Sequence, residues 1–109
     1  MLVSEALQSI NSFPIPDLTI QKIGVDRGLD VTTEYTSAVS ISEEFELATA
    51  DIYMWLYGQP SFGEQEISVS QQEKIKQGFF DIANGIYNKY GDPKATGGKY
   101  GFTGDKWNG

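Results

Sequence analysis

Residues 70–91 read SQQEKIKQGFFDIANGIYNKYG. Within them Ile75, Phe79, Ile82, Ala83, Ile86 and Tyr90 follow one another at intervals of 4, 3, 1, 3 and 4, the spacing that lines apolar side chains along one stripe of an α-helix. Ser70 followed by Glu73 has the form of a capping box, in which the serine oxygen accepts from the amide three residues on and the glutamate reaches back. Gly91 and Pro93 supply the stop. At about 1.5 Å per residue such a helix is roughly 30 Å long, enough to brace the other helices.

Upstream, Ser40 and Glu43 repeat the capping signature, and the spacing predicts a helix over 41–57. Phe45, Ala48, Ile52 and Trp55–Leu56 form one stripe on it, and Leu47, Ala50, Met54 and Tyr57 a flanking one. A face this wide suits the centre of a bundle. Gly58 and Pro60 end it, and residues 58–69 form a loop in which Ile67 and Val69 alternate with serines, a brief extended piece.

The N-terminal part is less strongly patterned. Leu2, Val3, Ala6, Leu7 and Ile10 recur at helical spacing before Asn11, Ser12 and Pro14 interrupt it, so 2–11 reads as a short amphipathic helix that is stable only when packed on something else. Pro16 and Asp17 start another, with Asp17 as the cap, which runs to about Arg27 and closes on Gly28. Gly24 inside it costs about 1 kcal/mol relative to alanine unless another backbone packs closely there. Residues 29–39, LDVTTEYTSAV, read as an extended connector with Tyr35 anchored to the core. The expectation is an all-α fold: a small bundle of about four helices, two short N-terminal and two longer, over residues 1–92. A glycine- and aromatic-rich tail follows over 93–109.

The chain has 109 residues, one domain's length. Its net charge of −7 is local: residues 1–51 hold nine acids against Lys22 and Arg27. The few scattered Lys and Arg disfavour direct nucleic-acid binding, which depends on them. Cysteine and histidine are both absent, which excludes disulfides, thiolate metal sites, thiol nucleophiles and the commonest general base. No apolar run approaches the roughly 18 residues of a membrane span, and the N-terminus has no basic cluster of a targeting signal. No membrane association is expected.

Candidate chemistry fails on inspection. Gly97-Gly98-Lys99 is not a phosphate loop, because Pro93 stands where its first glycine belongs and Tyr100 where Ser or Thr is needed. Glu43, Glu44, Glu46 and Asp51 could pair for acid–base work, but a solvated N-terminal helix face explains them better. Asp26, Asp30 and Glu34 are spaced by four without the dense acid pattern of a calcium loop. Asp26 and Arg27 are expected to form surface ion pairs of little weight. No catalytic, cofactor or metal site is predicted. The residues expected to bind a partner are Tyr100, Phe102 and Trp107, aromatics in a segment that cannot build its own core; packing back on the chain's own domain and an unused flexible tail are the alternatives for 93–109.

Asp26-Arg27-Gly28-Leu29-Asp30 with Glu34-Tyr35-Thr36, Phe45-Glu46-Leu47-Ala48 with Ala50-Asp51, Ile67-Ser68-Val69-Ser70, Ala83-Asn84-Gly85-Ile86-Tyr87 and Lys89-Tyr90-Gly91 together resemble a family of small uncharacterised prophage and mobile-element proteins. The helix organisation of that family resembles the head–tail connector (neck adaptor) proteins of tailed phages, and the resemblance covers roughly residues 1–92. It implies a non-catalytic structural protein, a subunit of a homo-oligomeric ring held by heterologous contacts, with portal, neck or tail proteins as partners. Its place would be the host cytoplasm during assembly and then the virion. The acids of 34–51 leave a second expectation open, a small acidic regulatory or immunity-type protein that caps a basic protein surface.

Overall fold

The computed structural model describes residues 1–59 and 69–95. It is helical, as expected, with five helices in the order α1 (Val3–Gln8), α2 (Asp17–Arg27), α3 (Ser37–Ser40), α4 (Glu43–Tyr57) and α5 (Val69–Tyr90). Tyr100, Phe102, Trp107 and the loop residues 60–68 lie outside the described residues.

α4 is the centre. Its first stripe, with Phe45, Ala48, Ile52 and Leu56 all buried, packs against Leu7 of α1 and Ile20 of α2. Its second stripe, Leu47 and Ala50, packs against Ala83 and Tyr87 of α5. Ala50 and Ala83 are both fully buried; methyl-sized side chains there let the α4 and α5 backbones approach closely. The two run antiparallel: Glu46 near the start of α4 meets Lys89 and Tyr90 near the end of α5, and the ring of Tyr57 at the end of α4 lies 5.3 Å from that of Phe80. The turns of α5 before about residue 78 therefore run on beyond the end of α4.

The connector is not extended throughout: residues 31–33 form a turn and a bend, and residues 37–40 are helical. Val31 and Thr33 offer their carbonyls to the amides of Ser4 and Val3 at 2.9 Å, which satisfies two of the N–H groups that the start of any helix leaves without an internal partner. Leu2 and Glu34 form an isolated antiparallel bridge, and the Tyr35 ring sits 5.2 Å from that of Phe45, the anchor predicted for it. Residues 37–40 then make the short helix α3, capped by Thr36, whose hydroxyl accepts from Val39 N. This helical turn replaces the end of the predicted extended stretch.

Three caps differ from the sequence reading. Ser40 ends α3, and the cap of α4 is Ser42, whose hydroxyl oxygen accepts from the Phe45 amide at 3.2 Å. Pro16, not Asp17, holds the cap position of α2, and its carbonyl accepts from Thr19 and Ile20; Asp17 is the first helical residue, where its charge favours the positive end of the helix dipole. Ser70 lies inside α5 rather than before it. At the α4 and α5 starts serine and acid occur at several nearby registers, and the tertiary path selects one of them.

α2 closes as predicted. Gly28 takes φ +69°, a left-handed conformation costly for other residues, and the amides of Gly28 and Leu29 return to the carbonyls of Val25 and Gly24. Gly24 has its close backbone: a Cβ there would lie 2.9 Å from the Leu29 carbonyl oxygen and 2.6 Å from Val31 Cγ1.

Candidate functional site: a buried charge cluster and an outward apolar face

The C-terminal turn of α2, the middle of α4 and the end of α5 meet at four charged groups and a phenol. Arg27 donates to both oxygens of Asp51, Nε to Oδ2 at 2.7 Å and Nη2 to Oδ1 at 2.9 Å, and its Nη1 donates to Asp92 Oδ1 at 2.7 Å. The Tyr87 hydroxyl donates to Asp51 Oδ1 at 2.6 Å, and Lys94 Nζ to the same oxygen at 3.2 Å. The guanidinium also lies 5.8 Å from the centre of the Tyr87 ring. Asp51 is only 7% exposed. This replaces two expectations: Asp51 is not part of a solvated acidic face, and Arg27 is not in a weak surface pair. The bidentate fork is the strong geometry for an arginine and a carboxylate.

The electrostatics follow from the contacts. Burial pushes the Asp51 carboxyl up, but hydrogen bonds from Arg27 and Tyr87 outweigh it and hold the group below its ordinary value. The hydrogen bond from Arg27 holds Asp92 down as well. Burial and the Asp51 carboxylate raise the Tyr87 phenol far above its usual range, and Asp51 raises Arg27 further. Two cations face two anions, and Arg27, Asp51, Asp92 and Tyr87 all titrate further from neutrality, so the cluster holds charge in place and is badly tuned for exchanging protons near pH 7. Its physical effect is to pin α2, α4, α5 and the residues just after α5 into one frame. Asp92 and Lys94 reach back onto the helices, and Ala95 still packs on the second core cluster.

The other candidate acids have separate local roles. Asp26 pairs with Lys22 at 2.7 Å, Asp30 accepts from the Thr32 amide and hydroxyl, and Glu34 pairs with the N-terminal ammonium at 3.0 Å. Among the described residues no group of three or more acids is placed to hold a metal ion. Glu46 is drawn toward α5 by Lys89 at 2.9 Å and Tyr90 at 2.8 Å.

The surface feature that stands out is on α2. Ile20, Ile23 and Gly24 are buried, whereas Leu18 and Val25, two turns apart on the opposite side, are 77% and 79% exposed. Scattered exposed apolar residues are ordinary; a pair in register on the outer face of one helix is an ordered surface. Lys22 lies between them on that face and also lines a groove of about 450 Å³ between α2 and α4, whose wall includes Ile23, Met54 and Trp55. The sequence reading missed Leu18 and Val25, although their spacing of seven was visible. No described helix is long and apolar enough to cross a membrane.

Comparison with curated proteins and with solved structures gave no match. One family model does match, over residues 1–100, a span that contains all five helices and the whole charge cluster. The chain belongs to that family, described as a family of unknown function (DUF6706).

Proposed function

We propose that this protein is a non-catalytic structural subunit of a tailed-phage assembly, of head–tail connector type, acting through protein–protein contact. The observation that carries the contact is the outer face of α2, where Leu18 and Val25 are spread in water although the same helix already buries Ile20 and Ile23. Apolar residues held in helical register on a frame pinned by Arg27, Asp51 and Asp92 suit a preorganised docking surface, because little ordering entropy is lost on binding. The phage setting rests on the resemblance of the sequence motifs. Portal, neck or tail proteins are the partners, and Tyr100, Phe102 and Trp107 are a second group of contacts that follows the frame in the chain.

The acidic-cap alternative is less favoured. Of the five acids in 34–51, Glu34 is paired with the N-terminus, Glu46 with Lys89 and Asp51 with Arg27. Only Glu43 and Glu44 carry no ion pair among the described residues.

The experiment is a binding titration of the purified chain against candidate tailed-phage portal and neck proteins, with the wild type compared with Leu18→Asp and Val25→Asp. Each substitution is expected to weaken binding by about tenfold or more while helicity is unchanged. Binding that is indifferent to both, or a one-to-one complex with a basic protein that salt dissociates, would reject this reading.

A further inference from the structure

The first turns of α5 carry a second outward surface, separate from that on α2. Ile75 is 39% and Ile82 46% exposed. Gly78 lies between them, and a Cβ built on it meets nothing within 4 Å. Gly78 is half-buried; a glycine in a helix interior costs about 1 kcal/mol relative to alanine, and among the described residues no atom near its Cβ position requires it.

At 3.6 residues per turn, Gly78 lies about 160° around α5 from the mean direction of the buried Ala83 and Tyr87. Ile75 and Ile82 stand about 40–60° to one side of Gly78, and Lys74 and Asp81 about 40–60° to the other. The face is therefore two parallel rows, one apolar and one of opposite charges, divided by a glycine. Lys74 makes no ion pair among the described residues, and Asp81 accepts one hydrogen bond, from Gln77 Nε2 on its own helix at 2.9 Å.

We propose that this face of α5 binds a second copy of the same chain as an antiparallel helix pair about a twofold axis at Gly78. A twofold that exchanges antiparallel helices keeps each row on its own side, so apolar row meets apolar row and charged row meets charged row. A parallel pair would set isoleucines against the charges. Placed at Gly78, the axis brings Ile75 level with Ile82 of the other copy and Lys74 level with its Asp81, each to within about 1.5 Å along the helix. Each contact occurs twice, as an isologous interface requires. Gly78 against Gly78 sits at the crossing, where the absence of a side chain allows the backbones to approach. The contact area of one helix pair is below that of a standard stable interface, so the dimer is a weak one. It does not rest on the phage reading, and it leaves the outer face of α2 uncovered.

The chain has no cysteine, so single cysteines report the register directly. Full-length Ile75→Cys and Ile82→Cys proteins are oxidised separately and as an equal mixture, with yields compared on a non-reducing gel. In the proposed register, positions 75 and 82 are level across the pair, whereas two copies of position 75 are about 9 Å apart along the axis and two of position 82 about 12 Å, too far for an unstrained disulfide. The mixed disulfide is expected to exceed either homodisulfide by about tenfold. Sedimentation equilibrium of Gly78→Leu is expected to show monomer only, with monomer stability equal to or above that of the wild type. Lys74→Glu should weaken the dimer by about tenfold, and Lys74→Glu combined with Asp81→Lys should restore it. A wild-type monomer at every concentration, equal crosslinking of all three samples, or a dimer indifferent to Gly78→Leu overturns the proposal; the last two assign the contact to another surface.

Discussion

Replacing Arg27 by methionine keeps the length of the aliphatic stem and removes the guanidinium. Asp51, 7% exposed, then loses its two hydrogen bonds of 2.7 and 2.9 Å, and Asp92 loses its closest at 2.7 Å. Breaking a buried pair by deleting one partner costs about 3–5 kcal/mol, because a charge is stranded. Two features reduce that here: Tyr87 and Lys94 still donate to Asp51, and Asp92, at the chain turn after α5, can rehydrate with little movement. The expected loss is about 3 kcal/mol, a large part of the total stability of a domain this size, and a fall in melting temperature of about 10–20 °C. Urea unfolding followed by far-ultraviolet circular dichroism measures it. Arg27→Met combined with Asp51→Leu removes both charges, so the double variant should be more stable than Arg27→Met by about 1 kcal/mol or more, as apolar replacements of buried pairs often are. A loss under about 1 kcal/mol for Arg27→Met, at an unchanged denaturant slope, would refute the claim that the cluster pins the frame.

Other outcomes follow from single positions. Gly24→Ala should destabilise by about 1–3 kcal/mol despite the better helix propensity of alanine, because its Cβ meets the Leu29 carbonyl and Val31, whereas Gly85→Ala, whose Cβ meets nothing, should stabilise by about 0.5–1 kcal/mol; thermal melts of the two order them. Ser42→Ala should cost about 1 kcal/mol and Ser40→Ala close to nothing, a contrast that denaturant titration reads and that locates the α4 cap. Asp51 and Asp92 have folded-state pKa values below their unfolded ones, so the unfolded chain binds protons first as pH falls. Their contribution is complete above the ordinary carboxylate range and is lost as pH drops through and below it; Asp51→Asn with Asp92→Asn should flatten that acid limb of a stability–pH profile.

Much of the fold was legible because it is written locally. The extent of α5, the two stripes of α4 and the glycine end of α2 are patterns within one helix, and they come back at nearly the predicted places; of the predicted α5 stripe, however, only Ala83 is buried, Ile75 and Ile82 are exposed, and Tyr87, outside that stripe, is buried instead. What failed was what depends on tertiary path: which serine of 40 and 42 caps α4, and the turn of helix at 37–40 that Thr and β-branched residues concealed. The charge cluster was hidden for the same reason, since Arg27 and Asp51 are 24 residues apart and nothing local links them. One signal was available. On the helical wheel Asp51 falls between the two stripes of α4, with Ala48 and Trp55 on one side and Leu47 and Met54 on the other. An acid there is buried and must have a cation, and the long-range partner was the arginine ending α2. The outer face of α2 is not legible in the same way, because Leu18 and Val25 lie opposite the stripe that faces the core.

Under the proposed function the chain works by contact through the outer face of α2. Hydroxyl-radical footprinting tests it most directly, with oxidation of Leu18 and Val25 compared in the free protein and in the assembly purified with its portal and neck partners. Strong protection of both residues is expected on assembly, together with the aromatics Tyr100, Phe102 and Trp107, while Glu43 and Glu44 on α4 stay accessible. Equal oxidation of Leu18 and Val25 in the two states, in an assembly that demonstrably contains the protein, would contradict it.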